Sequence, residues 1–390
     1  MGARRQDKER RVMTDVVIAG YLRSPFTPAK RGELARVRPD ETAAQVVKAL
    51  IENTGIDPAD VEDLIMGCAF PEGEQGLNVA KLVGMLAGLP QEVAGATVNR
   101  FCGSSMQSVH MAAGAIKLGA GDAFICAGVE SMTRVPMAGF NPMPHPGLYQ
   151  EMPEAYISMG ETAENVAKKY DISRAAQEEF AVASQTKAAA AQADGRLSDE
   201  IVAIVDRNRS IDSDGCIRAE TTVEGLAGLD PAFAKDGTVT AGTSSPLTDG
   251  ASAVLVTSAD YAAANGLKPL AKVKSVAVAG CAPELMGLGP IGASRKALER
   301  AGVAMADIDV VELNEAFASQ AIACMRDLEI DAAKTNLDGG AIAIGHPLGA
   351  TGARITGKAA ALLQREGKTL ALSTQCIGGG QGIATVLEAV

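Results

Sequence analysis

Apolar strands alternating with helices run through the first part of this chain, and the same alternation begins again near its end. That restart constrains the fold more than any other feature. Strands are expected at Asp15 to Ala19, Asp63 to Met66, Gly95 to Asn99 and Ala123 to Ala127. Helices are expected between them at Glu41 to Asn53, Asn78 to Ala87 and Gly103 to Leu118. The second series has strands at Ala271 to Ala279, Asp309 to Leu313, Thr369 to Thr374 and Gly382 to Glu388, with helices at Ser294 to Ala301, Phe317 to Asp327 and Gly352 to Gly367. Such alternation implies an α/β fold with a largely parallel core sheet. At 390 residues the chain exceeds one simple core, so two domains are expected, 13–270 and 271–390. Aromatic residues are only 3%, Trp is absent and Gly reaches 42. The core must therefore be built from Ala, Val, Ile, Leu and Met with close backbone approaches.

The middle of the chain breaks the pattern. From Ser131 to about Gly160, Pro136, Pro142, Pro144, Pro146 and Pro153 interleave with Met132, Met137, Met143, Met152 and Met159. Prolines at this density exclude a helix and a central strand, while the methionines predict an ordered covering loop on something apolar. Helices follow at Thr162 to Tyr170 and Ser173 to Asp194. Thr238 to Gly242 and Ala253 to Thr257 read as strands returning to the first sheet. The insertion spans about 131–240.

Charge and composition narrow the function. A formal charge of −11 argues against nucleic acid or an anionic membrane as partner. No apolar run reaches the roughly 18 residues of a membrane span. Residues 1–12 are polar and basic with acids interspersed, read as a disordered extension before a fold starting at Met13, and the cytoplasm is the expected location. The seven cysteines are scattered, with no CxxC pair, which excludes a disulfide framework and a zinc cluster; no metal is expected.

Two cysteines and one histidine stand apart. Cys102 lies where a strand meets a helix that carries only His110 and Lys117 as ionisable residues. The positive end of that helix dipole should favour the thiolate. Cys376 closes a similar strand: Ala96-Thr-Val-Asn-Arg-Phe-Cys102 compares with Leu370-Ala-Leu-Ser-Thr-Gln-Cys376. If the two strand ends are equivalent in duplicated halves, the sulfurs meet at one interface. Cys376 opens Cys-Ile-Gly378-Gly-Gly-Gln-Gly382, whose unobstructed N–H groups suit an oxyanion hole. His346, in a glycine-lined turn, is the natural base for a cysteine nucleophile. His110 and His145 read as packing or solvent-contact residues. Asn314 ends a strand with an amide that could hold a water or a carbonyl.

Val98-Asn-Arg-Phe-Cys-Gly-Ser-Ser-Met106, Asn314-Glu-Ala-Phe317, Gly339 to Gly352 and Cys376 to Gly382 together resemble the thiolase family, in order and over nearly the whole chain. The resemblance implies an αβαβα layered fold of two duplicated halves. It implies that coenzyme A thioesters are substrates, with no separate cofactor. Cys102 would be the acyl-accepting nucleophile, His346 its base and Cys376 the second acid–base group. His346 with an Asn314-held water would form one oxyanion site, and the N–H groups of Cys102 and Gly378 the other. Ser245, Leu247, Arg218, Met159 and Phe317 would contact coenzyme A or the acyl chain. The family implies a dimer or tetramer and, in degradative bacterial members, a hydratase/dehydrogenase partner.

Ser158, where acetoacetyl-specific members usually carry histidine, and the Phe-Cys-Gly-Ser-Ser-Met context favour a 3-ketoacyl-CoA thiolase of fatty-acid β-oxidation over an acetoacetyl-CoA thiolase. Gly287-Leu-Gly-Pro-Ile-Gly292 matches the GxGxxG of an NAD-dependent oxidoreductase, but Pro283 and its neighbours separate it from the preceding strand, favouring a glycine-rich helix cap. A non-catalytic lipid carrier would have no use for Cys102, His346 and Cys376 together.

Overall fold

The computed structural model describes residues 14–390; the expected extension over 1–12 and the start at Met13 lie outside the described residues. In chain order the strands are β1 (Val16–Arg23), β2 (Thr27–Pro28), β3 (Asp63–Gly67), β4 (Ala94–Val98), β5 (Ala123–Ser131), β6 (Ile204–Asp206), β7 (Arg209–Ile211), β8 (Thr248–Ser258), β9 (Ala271–Gly280), β10 (Val310–Leu313), β11 (Leu370–Ile377) and β12 (Gln381–Glu388). The helices are α1 (Pro39–Thr54), α2 (Val79–Leu86), α3 (Ser104–Leu118), α4 (Pro146–Glu151), α5 (Met159–Lys169), α6 (Arg174–Ala193), α7 (Val223–Ala227), α8 (Ala259–Ala264), α9 (Gly289–Ala301), α10 (Ala318–Leu328), α11 (Ala341–Ile344) and α12 (Leu348–Glu366).

One sheet runs β10-β11-β12-β9-β1-β8-β5-β3-β4, with β2 beside β8. Its halves join only where Val17 and Ile18 pair with Lys272 and Ala271. In the first half β1, β8 and β5 are antiparallel neighbours, and β3 lies parallel between β5 and β4. In the second half β9, β12 and β11 are antiparallel neighbours, and β10 lies parallel to β11. A single parallel bridge, Val311 to Thr335, flanks β10 on its other side. The duplication is therefore real, but its correspondence differs from the expected one. β11 matches β5, not β4, and the partner of β4 is the short Thr335 segment leading toward His346. Cys102 and Cys376 do not sit at equivalent strand ends.

Side chains alternate across the strands and sort the molecule into layers. Val17 and Ala19 of β1 pack with α1 and α2 on one face. Val16, Ile18 and Tyr21 point the other way, into a cluster with Val109 and Ala112 of α3 and Ala353 and Leu362 of α12. Residues of α9 and α10 cover the outer face of the second half. Helices α3 and α12 thus form a middle layer between the two halves of the sheet, with helices packed on the outer face of each half. They approach closely at Gly352, where an added Cβ would lie 2.2 Å from the Met106 backbone nitrogen.

Other departures have local causes. The Pro/Met stretch contains a short helix after all, α4, because Pro146 takes the first helical position, where no N–H is needed. The His145 side chain caps it, accepting from Leu148 N at 3.1 Å. Met132 is buried, but Met137, Met143 and Met152 are exposed, so the segment covers less of its own chain than its methionines predicted. Residues 238–242 form no strand. The Glu164 carboxylate takes the N–H groups of Thr238 and Val239, both at 2.9 Å, in place of a strand ladder. Helix α12 begins at Leu348 rather than near Gly352, directly after Pro347.

Candidate active site

Residues 99–104 make a sharp turn between β4 and α3. Phe101 takes the left-handed region at φ 42°, a costly conformation for a bulky residue. Its N–H donates to Asn99 Oδ1 at 2.8 Å, and Asn99 Nδ2 donates to Ala69 O. Ser104 Oγ accepts from Arg100 N at 2.9 Å and donates to Phe101 O at 2.6 Å. This turn holds Cys102 just ahead of α3. Gly103 follows because Ile377 of the second half fills the space, 2.5 Å from where a Cβ would stand.

His346 enters from the other half, directly before α12. Thr351 Oγ1 donates to Pro347 O at 3.0 Å, so its contact with His346 Nδ1 at 2.6 Å places the proton on the ring nitrogen. That leaves a lone pair on Nε2, toward which Asn314 Nδ2 points at 3.4 Å. The neutral, base-competent tautomer is thereby held from both sides. Asn314 is fixed because its N–H continues the ladder to Thr374 O at 3.0 Å, two residues before Cys376. Its Oδ1 is buried without a protein partner.

Cys376 is fully buried near the end of β11. The Gln375 side chain donates to the carbonyl of Cys102, and Arg100 reaches Gln381 at 2.9 Å. The two cysteine segments are therefore stitched across the seam between the halves. The turn after Cys376 aims the N–H of Gly378 at the Cys102 sulfur, joined by the N–H of Cys102 itself. Met159, Phe317, Ala316, Val239 and Met286 enclose Cys376 in an apolar cluster, and Phe233 packs edge-on to Phe317 at 5.8 Å.

Burial dominates the electrostatics. It pushes the Cys102 thiol up to about 11, although the N–H groups of Gly378 and Cys102 pull it down. Burial also lowers His346 to about 3, helped by the positive Arg354. Cys376 is raised well above its usual value by burial and by the neighbouring thiols, Cys102 first. The expected thiolate is thus overruled. Burial of the anion outweighs the two N–H groups directed at the sulfur, which favours a thiol beside a neutral imidazole at rest.

The N-terminal thiolase domain family matches residues 16–260, and the C-terminal thiolase domain family matches 267–389. This chain belongs to the thiolase family. It is 47% identical over 389 residues to a 3-ketoacyl-CoA thiolase of Bacillus subtilis, covering 96% of this chain and all of that protein. It is 48% identical over 388 residues to one from Aeromonas hydrophila, covering 97% of this chain and 100% of that protein. The human mitochondrial 3-ketoacyl-CoA thiolase in complex with CoA superposes with a TM-score of 0.90 at 36% identity, covering 97% of this chain and 98% of that one. The acetyl-CoA acetyltransferase of Bacillus anthracis gives 0.90 at 37%, covering 97% and 99%. The thiolase is accordingly an acyltransferase.

The remaining expected residues lie at the rim. Ser245 N donates to Ala316 O at 3.0 Å, docking its loop beside Phe317. Leu247 is half exposed, and Arg218 is exposed, its backbone N–H donating to Gln185 Oε1 at 2.7 Å. The Ser158 hydroxyl caps α5 in a reciprocal pair with Glu161. His110 is held by Thr385 Oγ1 at 2.9 Å. The GxGxxG match crosses from a 3-10 turn into α9. Its Gly289 abuts Gln381, 2.0 Å from a would-be Cβ, so the glycine serves helix–strand packing rather than a nucleotide.

Three residues of the site escaped sequence reading. Thr351 orients His346, Gln375 ties Cys102 across the seam, and Glu130 gathers Ala69 N, Phe70 N and Gly349 N at 2.8, 3.2 and 2.9 Å. Thr351 and Gln375 lie within motifs already singled out; nothing in sequence pairs Glu130 with Gly349.

Proposed function

We propose that this thiolase cleaves 3-ketoacyl-CoA with coenzyme A, giving acetyl-CoA and an acyl-CoA shortened by two carbons, as in fatty-acid β-oxidation. His346 Nε2 takes the proton of Cys102 as the sulfur attacks the C3 carbonyl. The C2–C3 bond breaks, its electron pair forming the enolate of acetyl-CoA, which takes the Cys376 proton. Coenzyme A thiol then attacks the acyl-Cys102 thioester and gives its proton to Cys376. The departing Cys102 sulfur recovers the proton held on His346. Developing charge is met by the N–H groups of Cys102 and Gly378 at one carbonyl, and by His346 with an Asn314-bound water at the other.

One observation carries this reading: the N–H of Gly378, two residues after Cys376, is directed at the Cys102 sulfur of the other half, while Asn314 and Thr351 hold His346 in its base-competent tautomer. Met159 and Phe317 would line the acyl pocket, while Ser245, Leu247 and Arg218 would contact coenzyme A at the rim. Coenzyme A thioesters are substrates, and no resident cofactor or metal takes part. The test is Cys102→Ala, which should bind acyl-CoA but show no acyl adduct by mass spectrometry. An adduct on another residue would refute the assignment. An acetoacetyl-CoA thiolase is the second reading, supported by the likeness to the Bacillus anthracis enzyme; cleavage preference for a four-carbon over an eight-carbon substrate would select it.

We also propose a homodimer through the free edge of β4. Around this edge Leu77, Met85, Leu86, Met111 and Leu118 are exposed by 89, 54, 55, 41 and 87%, an apolar area unlike a solvated surface. The exposed Pro/Met segment offers a second contact for a tetramer. Light scattering tests both, with a monomer at micromolar concentration as the refuting result. No helix among the described residues is long and apolar enough to cross a membrane, and we place the enzyme in the cytoplasm. The domain boundary is best drawn near residue 270, at the start of β9, with 131–240 as the insertion.

A further inference from the structure

Beneath the catalytic pair lies a buried ion pair that the chemistry above does not use. Glu312 and Asn314 are two residues apart on β10 and its extension, so their side chains leave the strand on the same side. That side is the middle layer, since Val310 packs there while Val311 and Leu313 pack outward. Thr351, Arg354 and Lys358 follow one face of α12 at spacings of three and four. Where these two lines cross, Arg354 Nη1 stands 3.3 Å from Glu312 Oε2, with both side chains 1% exposed.

This pair is poorly built for stability. Arg354 Nε and Nη2 and both Glu312 oxygens lack hydrogen-bonding protein partners. A buried pair in that condition returns less than its desolvation costs. The next charges along the helix differ: Lys358 reaches Glu200 at 2.8 Å and Asp338 at 2.7 Å. Resting on the reading of His346 as the base, we propose that Glu312 and Arg354 are positioning residues for its proton transfer. They clamp the strand that ends at Asn314 to the helix that carries Thr351, and they set a permanent positive charge one turn behind the imidazole.

The clamp fixes the gap across which Asn314 meets Nε2. The charge opposes protonation of the ring in the resting state, so the base arrives at each turnover unprotonated. The imidazole meets Asn314 and Thr351, and Arg354, on the helix that follows it, is the charged group that acts on it. The thiols of Cys102 and Cys376 are neutral at rest. Glu312 is itself pushed up to about 7 by burial against the pull of Arg354, so it screens that charge incompletely.

The experiment is a titration of His346 by NMR in full-length protein selectively labelled at histidine, only three of which occur. The parent should show no His346 titration above about pH 5, near which an ordinary histidine is already mostly protonated. In the neutral pair Glu312→Gln with Arg354→Met, the midpoint should rise from its parent value of about 3 while burial still holds it below the ordinary range, and kcat should fall with KM retained. Arg354→Lys, which keeps the charge, should leave the midpoint at the parent's value. Should the double variant fail to fold, Arg354→Gln alone carries the same expectation, because Glu312 then takes up a proton. A folded neutral variant whose His346 midpoint does not move from the parent's, or one that loses kcat without any change in the titration, overturns the proposal. The titration needs no substrate, so it stands apart from failure of the acyl-Cys102 assignment.

Discussion

Raising the pH from 7 to 9 should accelerate alkylation of Cys102 in the free enzyme about 100-fold. The reasoning starts from burial, which places this thiol at about 11 despite two backbone N–H groups directed at it. Only the thiolate reacts. At that pKa about one sulfur in 10,000 is ionised at pH 7 and about one in 100 at pH 9. A thiolate–imidazolium pair of the kind a helix dipole favours would instead react at a pH-independent rate across this range. The assay is the iodoacetamide rate with the Cys102 peptide quantified by mass spectrometry, since Cys281 is more exposed than Cys102 and would react as well. His346→Ala provides the internal control. It should leave the alkylation slope intact, because the imidazole does not share the proton at rest, yet slow acylation by substrate about 10²–10⁴-fold. A rate already on its plateau at pH 7 would refute the argument and restore the ion pair.

Thr351→Val should lower kcat about 10-fold to 100-fold with KM little changed, since it deletes the acceptor that fixes the His346 tautomer; steady-state kinetics would reveal an unchanged kcat. Gly352→Ala should cost about 3 kcal/mol, as its Cβ meets Met106 backbone rather than a movable side chain, and a melting temperature equal to the parent's would refute the close crossing of α3 and α12. Arg23→Met should cost about 3–5 kcal/mol, because it removes the cation paired with buried Asp214 at 2.7 Å and one of the two cations on Glu200; urea unfolding measures it. Stability should also fall as pH rises from about 9 toward 12. The native state keeps the Cys102, Cys216 and Cys324 protons to about 11, 12 and 12, whereas unfolded thiols release theirs near 8.5. A urea midpoint that is flat over that window would contradict it.

The strands and long helices were legible because their side chains answer to local periodicity, with β1, β3 and β5 almost wholly buried. The insertion was not, because its conformation depends on distant partners. Thr238 and Val239 read as strand by composition, yet Glu164, some 75 residues earlier, satisfies their backbone. The nucleophile and base were visible as isolated polar residues among glycines, where few packing explanations compete. Their protonation was invisible, because desolvation is a property of the assembled middle layer and the helix dipole is a property of one helix. Thr351 shows the same division. Its position in a recognisable motif was plain, but its role depends on the direction of one hydrogen bond.

The corrected correspondence between the halves explains why this site has two sulfurs and one imidazole rather than two matched pairs. Cys102 precedes α3 and His346 precedes α12, and these helices are equivalent members of the middle layer. Duplication therefore set two helix entrances against one seam, and the two entrances diverged into nucleophile and base. The third group comes from the other equivalent pair, the ends of β5 and β11. Glu130 is the penultimate residue of β5, opposite Gly250, and Cys376 is the penultimate residue of β11, opposite Gly382. One copy of this position carries a carboxylate that gathers the N–H groups of Ala69, Phe70 and Gly349. The other carries a sulfur in an apolar cluster with no such duty. A carboxylate at 376 would find no comparable set of donors in that cluster and would be costly to bury, whereas a thiol is tolerated there neutral. The asymmetry between structural and chemical use of one repeated position is what leaves a proton donor free beside Cys102.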